Sequence, residues 1–145
     1  MSAHGLKSLA GVGTTRWWAL GIAVLHLVLG SLYSVVIPPW EGVDEWSHYK
    51  YAEYVALHRS LPDPSQRLTD EYEFDQVTQP PLYYALTALA ILPASPSDDF
   101  RIQVNPYAYR GEGLGGANFV VHDPAVERFP WRGSVFALHL ARLVF

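Results

Sequence analysis

Residues 17–37, WWALGIAVLHLVLGSLYSVVI, run for 21 positions without an Asp, Glu, Lys or Arg and stop at Pro38-Pro39. A helix over this run would be about 31 Å long at 1.5 Å per residue, the thickness of the hydrocarbon core of a bilayer. Trp17 and Trp18 at one end, and Tyr33 and Trp40 near the other, put amphipathic rings at the headgroup levels. The run therefore predicts a transmembrane helix. A core helix of a soluble protein is usually shorter. The apolar stretch of a cleaved signal peptide is about 7–15 residues and leads to a small-residue cleavage site. This run is longer and leaves through Ser34-Val-Val-Ile-Pro-Pro.

Charge is distributed unevenly about that run. Residues 1–37 carry Lys7 and Arg16 and no acid, whereas residues 38–145 hold all 14 acids and 8 of the 10 bases. The bias of Lys and Arg toward the cytoplasmic side predicts a cytoplasmic N-terminus and an extracytoplasmic segment after Pro38, in an integral protein of the plasma membrane. A net charge of −4 supplies no basic field, so nucleic acid is not an expected partner. The absence of Cys excludes disulfides, thiolate zinc sites and cysteine nucleophiles. With 145 residues, the chain has room for one ordinary domain at most.

The expected fold class is a mainly α membrane protein. Its parts are a cytoplasmic N-terminus (1–16), a transmembrane helix (17–37), an extracytoplasmic first loop (38–132) and the start of a second transmembrane helix (133–145). All 11 prolines fall between Pro38 and Pro130, which breaks the loop into short elements. One interfacial helix is expected at about 44–58, capped by Asp44 and stopped by Ser60-Leu-Pro-Asp-Pro. A second, at about 81–92, is apolar but too short to cross a bilayer. Residues 65–78, with four acids and one Arg, read as a solvated loop or short irregular helix, and 93–130 as a loop without sustained period. The apolar run at 133–145 reaches the last residue, which suggests a piece of a larger polytopic protein, inactive alone.

The densest chemistry lies just after the apolar run, in Pro38-Pro-Trp-Glu-Gly-Val-Asp44-Glu45-Trp-Ser-His48. Helical spacing makes Glu45 and Asp44 neighbours of His48, an acid–base or metal-binding cluster in outline. Adjacent carboxylates at a helix start can have their pKa values pushed apart, which suits one of them to be a general base. The plainer role is Asp44 as a cap and Glu45 as a complement to the helix dipole. A single divalent cation on Asp44, Glu45 and His48 is a further candidate. Glu45-x-x-His48 is half of a di-metal motif whose second copy is missing, and H-E-x-x-H does not occur. Gly111-Glu-Gly-Leu-Gly-Gly116 fits G-x-G-x-x-G but no strand precedes it, so it reads as a loop. His26 within the apolar run is costly unless hydrogen-bonded. His139 and Arg142 lie three apart on the last apolar segment, where Arg142 either snorkels or meets an anion.

The order P-P-W-x-G-x-D-E-x-x-H-x-x-Y at 38–51, Leu61-Pro62, Gln79-Pro-Pro-Leu-Tyr-Tyr84 and His139-Leu-Ala-Arg142 resembles the N-terminal part of a GT-C polytopic membrane glycosyltransferase. The likeness is to the protein O-mannosyltransferase and aminoarabinose transferase branch and to related membrane proteins of uncharacterised function. It covers nearly the whole chain. It implies a sugar donor linked to polyprenyl phosphate, membrane lipid around the site and further transmembrane helices of the full-length protein as partners. It also implies Asp44 as the catalytic carboxylate with Glu45 as its partner or a metal ligand, His48 supporting them from behind, and Arg142 on the lipid phosphate. The competing classes are a non-enzymatic membrane-anchored interaction module, for which Asp44, Glu45 and His48 would be dispensable, and an accessory subunit of a membrane complex.

Overall fold

The computed structural model describes residues 4–66, 74–97, 99–108 and 118–144. Among them the protein is helical, and the sole strand-like pairing is an isolated antiparallel bridge between Val104 and Val120. Helix α1 spans His4–Val36 and starts well before the uncharged run, because no proline precedes Pro38 to interrupt it. Its Thr15–Val36 part is long and apolar enough to cross a membrane, and only 6% of its most apolar window is buried. The core helix of a soluble protein would be covered, whereas Leu25, Val28 and Leu32 stand open here.

Beyond Pro38 three helices pack in series: α2 (Glu45–His58) on α3 (Pro81–Ile91), and α3 on α5 (Gly133–Ala141). A single helical turn, α4 (Pro124–Glu127), precedes α5, and its first turn is capped by Asp123 Oδ1, which accepts from Ala125 N at 2.8 Å. Small residues bring the three main helices together. Ala52 and Ala56, Ala88, and Ala137 and Ala141 are all buried, interleaved with Tyr49, Tyr84, Ile91 and Leu138. The expected helix boundaries at 44–58 and 81–92 are reproduced within a residue, and a short 3₁₀ turn, Leu92–Ala94, follows α3.

Two local expectations are corrected. Asp44 precedes α2 but does not cap it: its backbone is left-handed, with φ 54°, and its side chain makes no cap hydrogen bond. That conformation turns the carboxylate away from the amides it was expected to receive, and Asp tolerates it better than most residues do. The solvated reading of 65–78 fails at its far end, where Phe74, Gln76 and Val77 are buried and the irregular helix expected as its alternative forms as a 3₁₀ turn, Gln76–Thr78. Phe74 stacks on Tyr51 at 5.2 Å, so an acidic segment carries one aromatic anchor into the core. Residues 67–73 and the glycine-rich 111–116 lie outside the described residues.

Helix α2 is unusual in burying charge on several sides: Glu45, Lys50 and Glu53 are all enclosed. Buried ions need partners. Lys50 pairs with Glu53 one turn on, and the Tyr49 hydroxyl donates to Glu53 Oε1 at 2.9 Å. Burial, and then the charge of Glu53, raises the Tyr49 pKa far above its ordinary value, so the phenol remains the donor.

Candidate functional site

Arg142, one residue beyond α5, is buried, and its guanidinium is fully engaged. Its Nε and Nη2 donate to the two Glu45 oxygens at 2.6 and 2.7 Å, a bidentate fork. Its remaining N–H groups donate to Ser34 O at 3.1 Å, Ile37 O at 2.7 Å and Pro38 O at 2.8 Å. All five guanidinium donors are thus used. The carbonyls belong to the last turn of α1 and the residues just after it, where a helix leaves its C=O groups unsatisfied and its dipole favours a cation. The guanidinium also lies 5.4 Å from the centroid of the Tyr33 ring. Glu45, at the start of α2, completes a staple that joins the end of α1, the start of α2 and the end of α5.

Gly42 belongs to this staple by what it lacks. A Cβ there would fall 3.0 Å from the Tyr33 hydroxyl and 3.1 Å from Glu45 Cβ and Cδ, so a larger residue would push the carboxylate off Arg142. A second tie between α1 and the end of the chain comes from His26 Nε2, which donates to Leu143 O at 3.1 Å. Farther up the same helix pair, the Ser34 hydroxyl meets His139 Nδ1 at 2.6 Å, and the His139 ring stacks on Trp131. The costly histidine in the apolar run is therefore hydrogen-bonded, as its position demanded.

The four sequence-derived site residues separate into two neighbouring hollows. Asp44 is exposed and lines an outer groove of about 600 Å³ together with Trp40, Trp46, Arg101, Ile102 and Phe119. His48 lines an inner cleft of about 400 Å³ against α1, where Arg142 also lies. Glu45 borders both. Among the described residues no group of three or more His, Asp or Glu side chains is placed to hold a metal ion, so Asp44, Glu45 and His48 do not fit a cation. In this arrangement Arg142 also has no N–H left for a phosphate.

Two arrangements escaped the sequence reading. The Glu41 carboxylate accepts from Phe119 N at 2.9 Å and Val120 N at 3.0 Å, and lies 3.1 Å from His122 Nε2. His122 Nδ1 in turn lies 2.9 Å from Glu127, so Glu41 fastens the distant loop that closes the outer groove. We expect Glu41→Ala to release Phe119 and Val120, since hydrogen bonds to a charged group contribute about 1.5–3 kcal/mol. Their amides should exchange with deuterium about ten times faster or more; unchanged protection would show that the bridge beside them suffices. The second arrangement is a chain from Gln79 through Tyr84 to His48. The Tyr84 hydroxyl donates to Gln79 Oε1 at 2.7 Å and lies 2.9 Å from His48 Nδ1. Neither was visible in the spacing, because each joins residues far apart in sequence.

Searches against protein-family models, curated proteins and solved structures returned no match to this chain.

Proposed function

We propose that the chain is the N-terminal part of an integral-membrane glycosyltransferase that moves a sugar from a polyprenyl-phosphate donor to an acceptor at the outer membrane face. The observation that carries this reading is Asp44: an exposed carboxylate on a left-handed residue, a few positions beyond a membrane-length helix, beside a glutamate locked to Arg142. In this reading α1 crosses the membrane with its N-terminus in the cytoplasm, and a lipid-linked donor confines the chemistry to the layer where Asp44 lies.

The reaction assigns each group a task. The acceptor hydroxyl approaches the anomeric carbon while Asp44 orients it and takes its proton. The new C–O bond forms as the bond from the anomeric carbon to the phosphate oxygen breaks, and that electron pair leaves with the phosphate. Arg142 is spent on Glu45 and the helix carbonyls, so its part is to hold the acidic loop in place. Arg101 is the cation that shares the groove with Asp44.

The test is donor consumption in membranes that contain the full-length protein. Polyprenyl-phosphate mannose and polyprenyl-phosphate aminoarabinose, each labelled in the sugar, should be supplied in parallel with endogenous acceptors present. The expected result is loss of label from one lipid donor with release of polyprenyl phosphate above the level of control membranes. Equal and unchanged levels of both donors would overturn the transfer reading for this branch of enzymes.

A further inference from the structure

The inner cleft has a chemical bias that the transfer reading does not use. Its lining includes the Glu45–Arg142 pair, which is electrically neutral, and every Arg142 N–H is already donated. Two imidazoles, His26 and His48, also line it. Their tautomers follow from their partners. Burial first, with Tyr51 and Asp75 adding to it, pushes the Tyr84 phenol up to about 12, so it keeps its one proton. That proton goes to Gln79 Oε1, and the Tyr84 oxygen therefore accepts from His48 Nδ1–H. In the neutral ring this leaves the lone pair on Nε2. A carbonyl can only accept, so His26 donates from Nε2 to Leu143 O and keeps its lone pair on Nδ1.

Besides the Tyr33 hydroxyl, which can donate as well as accept, the side-chain atoms that the cleft has left to offer are thus acceptors, beside a neutralised cation. A phosphate, itself an acceptor, would find a donor in the Tyr33 hydroxyl but would also face two imidazole lone pairs and a carboxylate. A head group rich in O–H donors and without charge would be matched. The lining also has an apolar part: Leu29 and Val43 are exposed, and Leu29 belongs to the surface of α1 that lipid would cover. The volume, about 400 Å³, is in the range of small-ligand sites, roughly 300–1,000 Å³.

We propose that the inner cleft binds the hydroxylated head of an uncharged amphiphile, whose tail lies along α1 and whose head-group O–H donates to His48 Nε2. Asp44 lines the outer groove and not this cleft, so the inference goes beyond the transfer reading above and is measured without any transfer. Gln79 and Tyr84 act through His48, as positioning residues that hold its acceptor nitrogen toward the ligand.

The probe is a dodecyl glucoside with a photoreactive group in its tail, crosslinked to the full-length protein in nanodiscs at mildly alkaline pH. Crosslinks should fall within residues 26–43, and unlabelled dodecyl glucoside should displace the probe at about one-tenth of the concentration needed with dodecyl phosphate. His48→Leu should weaken labelling about three- to tenfold, the value of one net hydrogen bond. His48→Gln places an amide oxygen near the Nε2 position and should restore most of it. Tyr84→Phe frees the tautomer and should fall between the two. Retained crosslinking in His48→Gln shows that the cleft still forms, which separates a lost acceptor from a lost fold. The proposal is overturned if dodecyl phosphate competes as well as the glucoside, or if His48→Leu labels like the wild type. Donor consumption in the same preparations is scored separately, so failure of the transfer reading and failure of this one give different patterns.

Discussion

Glu45→Ala should destabilise the protein by about 3–5 kcal/mol, the usual cost of leaving one member of a buried ion pair alone. Arg142 is 2% exposed and Glu45 4%, so water cannot replace the missing partner without opening the junction of α1, α2 and α5. Arg142→Met should cost at least as much, because it also strips donors from the carbonyls of Ser34, Ile37 and Pro38. Arg142→Lys is no rescue: an ammonium has three donors and no planar fork, and cannot serve two carboxylate oxygens and three carbonyls together. The double replacement Glu45→Ala with Arg142→Met should be much less than additive, since the orphaned charge disappears with its partner. Denaturant titration of the full-length protein in detergent gives all the values needed for the cycle. A cost below about 1 kcal/mol for Glu45→Ala would place the pair among solvated ones and remove the staple from the argument.

The helices were legible in the sequence because they are written in local signals. An uncharged run of membrane length, a Ser-Leu-Pro-Asp-Pro stop and a Pro-Pro start mark the bounds of α1, α2 and α3 within a few residues, apart from the N-terminal extension of α1. Spacing was a poorer guide to the site. Asp44, Glu45 and His48 are neighbours along the chain, and a helix starting at Asp44 would have set them side by side. Glu45 and His48, three apart on α2, do line the inner cleft together, but the left-handed turn at Asp44 leaves that residue in the outer groove. Arg142 was recognisable as a cation in an apolar segment, but its partners are a residue 97 positions away and three backbone carbonyls, which no local pattern encodes. The same holds for Glu41, whose two amide partners lie 78 and 79 positions on. Gln79-Pro-Pro-Leu-Tyr-Tyr84 was conspicuous as a motif, yet its physical role, a hydrogen-bond chain to His48, required the packing of α3 on α2.

The other large effect expected concerns rate rather than stability. Under the glycosyl-transfer reading proposed above, Asp44→Asn in the full-length protein should lower sugar transfer by about 10²–10⁴-fold, the range contributed by a positioned general base. The substitution isolates chemistry from structure for a reason specific to this position. Asp44 makes no cap bond and its φ is 54°, a conformation that Asn adopts as readily as Asp. Removing the charge therefore leaves the turn, and with it the Glu45–Arg142 staple, as it was. Asp44→Gly relaxes the backbone and also removes the carboxylate, so it should be at least as stable as the parent and equally slow. Asp44→Ala would mix the two effects, because Ala keeps the Cβ that opposes left-handed backbone and loses the short polar side chain that offsets it. The pattern that supports the assignment is a loss of kcat in Asn and Gly alike with unaltered unfolding, against Glu45→Ala, in which activity and stability fall together. Transfer by Asp44→Asn within about threefold of the wild type, too small a loss for a general base, would take the proton-accepting role away from Asp44 and leave it as a residue of the turn.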